Sequence, residues 1–187
     1  MSAAPDRGTP RKLRLFFAMW PVDRYRAALA ESASAAVARV AGRAVPPGNL
    51  HVTLAFLGSV PVQTFVHLVT VGGQGSWPAV RLDFTRIEYW ARPRVLVAMP
   101  TEVPAAGQEI VERLWQGVAP LGFARETRPW RPHLTLVRGV QQLPPADLDM
   151  KPVQAAADEP AWRLALVDSA AHPEGPRYKV LADWPLT

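Results

Sequence analysis

Two stretches of the sequence share one pattern and decide the fold. They are Asn49-Leu-His-Val-Thr-Leu-Ala-Phe-Leu-Gly58 and Arg131-Pro-His-Leu-Thr-Leu-Val-Arg138, and each carries a threonine two residues after a histidine. Both stretches are apolar enough to form buried strands, and each follows a proline-containing turn and a longer segment with helical spacing. We therefore predict an internal repeat of two lobes whose histidine-bearing strands face a shared cleft.

The remaining segments predict an α+β fold. Apolar periodicity predicts strands at 13–20, 50–57, 80–90, 95–99, 133–137, 162–169 and 178–184, and helices at 23–40, 61–71 and 104–118. We expect two pseudo-symmetric lobes of antiparallel sheet, with helices on the outer faces and an active-site cleft between the lobes. Residues 1–11 are predicted to be a disordered basic tail, residues 12–187 a single bilobal domain, and residues 141–160 a proline- and alanine-rich connection within it.

The composition excludes thiol chemistry and leaves the basic charge open to two interpretations. None of the 187 residues is cysteine, which excludes disulfides, thiolate metal sites and a cysteine nucleophile. The net charge is +5, and arginine greatly outnumbers lysine. Arginine suits phosphate recognition, but a GC-rich genome would produce the same excess. No apolar run approaches the ~20 residues of a membrane span, so we expect a cytoplasmic protein, and we expect a monomer.

The repeated histidine and threonine have a physical reason for their spacing. Side chains alternate along a strand, so His51 and Thr53 face one surface, as do His133 and Thr135. Two imidazoles across a cleft can act as acid and base, and the hydroxyls can hold anionic oxygens. In-line displacement at phosphorus requires these groups. A single strand histidine is more often structural, but the matched pair favours catalysis.

Histidines can also be structural or can bind a metal ion. His67, on the short helix, and His172, in a turn, are interpreted as structural. A metal site is the rival chemistry for His51 and His133, but neither has a second ligand nearby at a spacing typical of metal sites. We therefore expect no metal and no cofactor.

Longer motifs resemble a known family. Besides the two histidine stretches, the sequence has Arg14-Leu-Phe-Phe-Ala18 at the first strand and Gly175-Pro-Arg-Tyr-Lys-Val-Leu-Ala-Asp-Trp-Pro-Leu186 at the end. Together these resemble the two-histidine (2H) phosphoesterases, and among them the bacterial RNA 2′,3′-cyclic phosphodiesterases, also called 2′-5′ RNA ligases. The resemblance implies metal-independent hydrolysis of 2′,3′-cyclic phosphate ends of RNA or nucleotides to 2′-phosphomonoesters, and also reversible 2′-5′ RNA ligation. The alternative is a non-catalytic module that binds nucleotides or RNA ends on the same scaffold.

The resemblance also implies roles for particular residues. His51 and His133 become the acid/base pair, Thr53 and Thr135 hold phosphate oxygens, and Arg138 is the cationic phosphate contact. We expect His133 to activate water and His51 to protonate the departing 3′ oxygen. Arg138 is five residues after His133, so an undistorted strand would point it away from the cleft.

The residues that stack on the base are less clear from the sequence. Val97 stands where the family often has tryptophan in the hairpin strand. Base stacking would then fall to Phe16, Trp90 or Trp130, although a core role is the simpler interpretation of each aromatic side chain.

Overall fold

A computed structural model describes residues 11–153, 160–173 and 175–187. Residues 1–10 of the predicted tail and residues 154–159 of the predicted connection lie outside these described residues. Within the described ranges, the chain forms two antiparallel four-stranded sheets and three α-helices.

The first sheet combines strands from both ends of the chain. Its order is β3 (Val52–Pro61), β1 (Lys12–Pro21), β7 (Trp162–Ala170) and β8 (Arg177–Pro185). β1 lies inside the sheet and both of its faces are covered, because Phe17 belongs to the main core while Phe16 belongs to a smaller apolar cluster on the opposite face. This double burial explains the unbroken apolar run of β1.

The second sheet has the order β2 (Arg43–Ala44), β6 (Leu134–Arg138), β5 (Val95–Pro100) and β4 (Phe84–Trp90). Strand β6 corresponds to β3 of the first sheet, because each begins directly after a motif histidine and lies beside the strand that precedes a long helix. The lobes are therefore built from equivalent pairs of strands, β1 with β3 and β5 with β6.

The long helices cross between the sheets. Helix α1 (Asp23–Ala38) follows β1 but contacts β6, while α3 (Ala105–Val118) follows β5 but contacts β3. Helix α2 (Phe65–Gly72) lies beside α3 and contacts β7 and β8. Side chains such as Ile110 and Leu114, one helical turn apart, bury the inner face of α3. The crossing joins both sheets to one continuous apolar core.

The predicted α+β class with two antiparallel lobes is confirmed. The predicted strand at 80–90 is too long at its start, since β4 begins at Phe84. Val80 and Leu82 are buried by packing against the core rather than by pairing in the sheet, and the Leu82 carbonyl accepts a hydrogen bond from the Tyr25 hydroxyl. The alternating apolar residues at 80–83 therefore resembled a strand although they do not pair in the sheet. The two-residue strand β2 was not predicted, because a segment so short has no periodicity to detect.

Candidate active site

The structure brings the five principal predicted site residues together. His51, Thr53, His133, Thr135 and Arg138 all line one pocket of about 480 Å³ between the two sheets, the candidate catalytic pocket. His51 and Thr53 come from β3 and the residue before it, and the other three come from β6 and the residue before it. Histidine motifs far apart in the chain thus meet because their strands belong to different sheets that face the same cleft.

The two imidazoles are held in the same way. His51 Nδ1 lies 2.7 Å from the carbonyl oxygen of Asn49, and His133 Nδ1 lies 2.8 Å from that of Arg131. A carbonyl oxygen can only accept, so Nδ1 carries the hydrogen in both rings. This tautomer leaves Nε2 of each histidine available for proton transfer in the pocket.

A β-bulge turns Arg138 towards the histidines. Across the β5–β6 pair, Leu96 lies opposite Val137 but Val97 lies opposite Thr135, so Leu136 is an extra residue in β6. The extra residue reverses the alternation of side chains beyond it. Arg138 consequently faces the same pocket as Thr135, although simple alternation from His133 would point it away.

His51 is the more enclosed of the two histidines. Its ring is stacked on Trp20, with 5.6 Å between ring centroids, and it also contacts Phe16 and Tyr178, each at 5.0 Å. Burial lowers the pKa of His51 to about 4. The hydrogen bond to the Asn49 carbonyl opposes this shift, while the positive charge of Arg138 adds to it. The free imidazole of His51 is therefore neutral at pH 7.

His133 is only partly buried. Its ring centroid lies 4.5 Å from that of Trp90. Burial also lowers the pKa of His133, and the charges of Arg138 and Arg131 act in the same direction, while the hydrogen bond to the Arg131 carbonyl opposes the shift. Both shifts favour the neutral imidazole.

The three aromatic residues predicted for base stacking occupy different environments. Phe16 is 3 % exposed and packs against His51, so its ring has no free face and the stacking role predicted for it is not supported. Trp90 lines the catalytic pocket and an adjoining, larger pocket of about 650 Å³, which Trp130 also lines. The Trp130 indole donates a hydrogen bond of 2.9 Å to the Thr53 carbonyl and so connects the loop before β6 to strand β3.

Two arginines of the catalytic pocket were missed by the sequence analysis. Arg92, in the turn between β4 and β5, and Arg128, in the loop before β6, both line the pocket beside Arg138. Neither belongs to a motif, and the only available signal was the general excess of arginine. Among the described lining residues of this pocket there is no aspartate or glutamate.

The described residues include neither a group of metal ligands nor a membrane-spanning helix. No three of their His, Asp or Glu side chains are grouped so as to hold a metal ion. None of their helices combines the length and the apolar character needed to cross a bilayer.

Comparison with known proteins identifies the family. The model of the family described as "LigT like Phosphoesterase" matches residues 21–97. An RNA 2′,3′-cyclic phosphodiesterase of Thermus thermophilus is 30 % identical over 190 residues, which cover 93 % of this chain and 90 % of the relative. The chain belongs to the LigT-like phosphoesterase family.

Other LigT-like relatives agree in sequence and in fold. The RNA 2′,3′-cyclic phosphodiesterase of Escherichia coli is 28 % identical over 155 residues, 79 % of this chain and 81 % of that protein. The crystal structure of E. coli LigT complexed with 3′-AMP is matched with a TM-score of 0.73 and 27 % identity, over 95 % of this chain and 99 % of that one. The structure of T. thermophilus TT0787 gives 0.73 and 28 %, over 92 % and 97 %.

The LigT-like family model and the longer alignment cover different parts of the site. The model stops at residue 97 and so includes His51 but not His133. The Thermus alignment covers 93 % of the chain. The uncovered part is too short to reach from either end of the chain to a histidine motif. Both halves of the pocket therefore lie within the region shared with a LigT-like relative.

Proposed function

We propose that this protein hydrolyses 2′,3′-cyclic phosphate ends of RNA or nucleotides. Water attacks phosphorus, the bond from phosphorus to O3′ breaks, and the products are a 2′-phosphomonoester and a free 3′ hydroxyl. The relatives named as RNA 2′,3′-cyclic phosphodiesterases support this substrate class. The observation that carries the proposal is the matched pair of imidazoles, each with Nδ1 hydrogen-bonded to the backbone and Nε2 available in one pocket.

The different burial of the two histidines supports an assignment of their roles. Hydrolysis needs one neutral imidazole as base and one protonated imidazole as acid. His51 is enclosed by aromatic rings, so a single proton shared by the pair resides preferentially on the more exposed His133. His51 then takes a proton from water and His133 donates one to O3′. This assignment is the reverse of the one expected from the sequence.

The polar groups around the histidines complete the proposed chemistry. The Thr53 and Thr135 hydroxyls donate to non-bridging phosphate oxygens, and the Arg138 guanidinium stabilises the negative charge that these oxygens carry in the transition state. An anionic phosphate beside the histidines also favours their protonated forms, so substrate binding itself promotes charging of His133.

The larger adjoining pocket is the proposed site of the nucleoside. Its walls combine the aromatic rings of Trp90 and Trp130 with the guanidinium of Arg128, and it shares Thr53 and His133 with the catalytic pocket. Aromatic rings and guanidinium planes both stack on nucleobases. Replacing Trp90 with leucine should raise KM for a cyclic nucleotide more than it lowers kcat.

The deciding experiment is turnover of adenosine 2′,3′-cyclic monophosphate by the full chain. Phosphorus NMR distinguishes the expected 2′-monophosphate from the 3′-monophosphate. Binding of the cyclic nucleotide without turnover would support the non-catalytic alternative. Ligation is tested separately by mixing the cyclic phosphate end with a strand bearing a 5′ hydroxyl, whose oxygen attacks phosphorus in place of water.

A further inference from the structure

Two arginines oppose each other directly at the edge of the catalytic pocket. Arg43 of β2 is the register partner of Arg138 of β6. Directly opposed like charges destabilise an antiparallel pair. Surface arginines elsewhere pair with carboxylates, as Arg81 does with Asp83, but neither Arg43 nor Arg138 has such a partner among the residues the structure describes. A bound anion would offset the repulsion between these two charges.

A small cavity adjoins this pair, and we name it the arginine cavity. It has a volume of about 140 Å³ and shares Arg138 with the catalytic pocket. None of its described lining residues is acidic, and Arg177 is a third arginine in its wall. The polar lining residues are Arg43, Asn49, Arg138, His172, Arg177 and Tyr178. The cavity is too small for a nucleobase and its surrounding solvent, and its charge suits a phosphate group.

Gly175, between β7 and β8, lies against the Arg43 side chain. Gly175 has a φ of +116°, a conformation that favours glycine, and a Cβ at this position would lie 3.2 Å from Arg43 Nε. The Arg43 guanidinium, which belongs to the second sheet, therefore lies against Gly175, which precedes β8 of the first sheet. Arg43 therefore lines the cavity next to Gly175.

Asn49 connects the arginine cavity to the reacting centre. Its side-chain amide donates a hydrogen bond of 3.0 Å to the Pro176 carbonyl in the cavity wall, and its own carbonyl accepts from His51 Nδ1. Tyr178, which also lines the cavity, contacts the His51 ring edge-on. Asn49 and Tyr178 therefore each connect the arginine cavity directly to His51, the base of the proposed reaction.

We propose that the arginine cavity binds a second nucleotide phosphate, next to the one that reacts. The inference rests on the proposed function, since it places the cavity beside a reacting phosphate in the neighbouring pocket. Guanidinium groups of Arg43 and Arg177 bind the second phosphate through charge-assisted hydrogen bonds. That phosphate comes either from the 5′ side of the same nucleotide or from a second RNA strand.

Calorimetric titration with two product analogues tests the first source. Adenosine 2′-monophosphate occupies only the reacting phosphate site, whereas adenosine 2′,5′-bisphosphate adds a 5′ phosphate. For the second source, the dinucleotide ApA with a free 5′ hydroxyl is titrated into enzyme saturated with adenosine 2′-monophosphate. Each titration uses wild type, Arg43→Gln and the matched control Arg81→Gln, which removes an arginine paired with Asp83 that lines neither pocket. Circular dichroism confirms that each variant is folded.

In wild type and in Arg81→Gln, one of the two additions should bind with an advantage of about tenfold, the size expected of a charge-assisted hydrogen bond at a partly exposed site. For the bisphosphate the advantage is the Kd of adenosine 2′-monophosphate divided by the Kd of the bisphosphate, both for the same variant. For ApA it is the Kd in Arg43→Gln divided by the Kd in wild type or in Arg81→Gln. Arg43→Gln should bring the bisphosphate ratio close to one if the same nucleotide supplies the phosphate. The inference is overturned if neither titration depends on Arg43. Turnover of the cyclic nucleotide by wild type is measured separately. If wild type hydrolyses it but neither titration depends on Arg43, the proposed role of the arginine cavity is overturned and the proposed function stands.

Discussion

Leu54 and Leu136 occupy the same place in two different sheets. Each is the extra residue of a β-bulge that directly follows the motif threonine: Ala18 of β1 lies opposite Thr53 while Phe17 lies opposite Ala55, which skips Leu54, and the β5–β6 pair skips Leu136. The side chain three residues after each threonine is thereby redirected. In the second sheet it is Arg138, which lines the catalytic pocket, and in the first it is Phe56, on whose ring Arg14 lies at 4.7 Å.

The first prediction concerns the two histidines as one unit. His51→Ala and His133→Ala should each lower kcat/KM on a 2′,3′-cyclic nucleotide by about 10²–10⁴-fold, because either change disables the proton transfers of the displacement. The double variant should lose much less than the product of the two single losses. Near wild-type turnover by folded His133→Ala would contradict the two-histidine mechanism. Thr53→Val and Thr135→Val are matched controls for the pocket, and their losses should be smaller because proton transfer stays intact.

A second prediction separates the acid from the base. A cyclic substrate with sulfur in place of the bridging 3′ oxygen has a leaving group that needs little protonation. His133→Ala should therefore lose less rate on the sulfur substrate than on the oxygen substrate, whereas His51→Ala should lose about the same on both. Rates of both variants on both substrates, each relative to wild type, provide the measurement. If His51→Ala instead loses less rate on the sulfur substrate, His51 is the acid.

The pH dependence follows from the lowered pKa values. The active form carries one proton on the histidine pair, so kcat/KM is maximal between the two pKa values of the free enzyme. Burial lowers the pKa of His51 to about 4 and that of His133 below its ordinary 6.5, so the optimum of kcat/KM should lie on the acidic side of pH 6.5. The bound phosphate raises both values, so kcat should peak at higher pH than kcat/KM. A profile of kcat/KM that is flat or rises above pH 7 would disagree with this site.

Arg138→Lys should bind substrate less well and turn over more slowly, although it keeps the charge. A lysine ammonium cannot make the two-pronged contact that a guanidinium makes with phosphate. The matched control is Arg81→Lys, at an arginine that lines neither pocket. Steady-state kinetics of the two variants should differ by roughly tenfold or more in kcat/KM. Equal kinetics would mean that the bulge at Leu136 does not deliver Arg138 to the phosphate.

Hydrolysis should survive metal removal. The described residues that line the catalytic pocket provide two imidazoles, two hydroxyls and three guanidinium groups but no carboxylate, a set that suits an anion rather than a cation. Activity after dialysis against EDTA should equal activity before it, measured in metal-free buffer. Loss that is restored by zinc or manganese would point to a metallophosphoesterase instead.

Local patterns account for the elements that the sequence predicted well. The apolar spacing of β1, α3 and β7 reflects burial of faces that repeat every two or 3.6 residues, so it is legible from neighbours in the chain. The same holds for the shared orientation of His51 and Thr53. Segments whose burial has another cause misled the prediction, as residues 80–83 show.

Before any fold was known, the sequence determined that this chain carries two His-x-Thr motifs on apolar strands, has no thiol chemistry and belongs to the α+β class. Tertiary structure alone decided that Arg138 faces the histidines, that Arg43 opposes Arg138 and that His51 is the more enclosed imidazole. Strand alternation is a relation between residues two apart, whereas a bulge is defined by the register with a partner strand. Charge and burial at a side chain likewise depend on residues distant in sequence, here Trp20 and Tyr178 around His51, which only folding brings together.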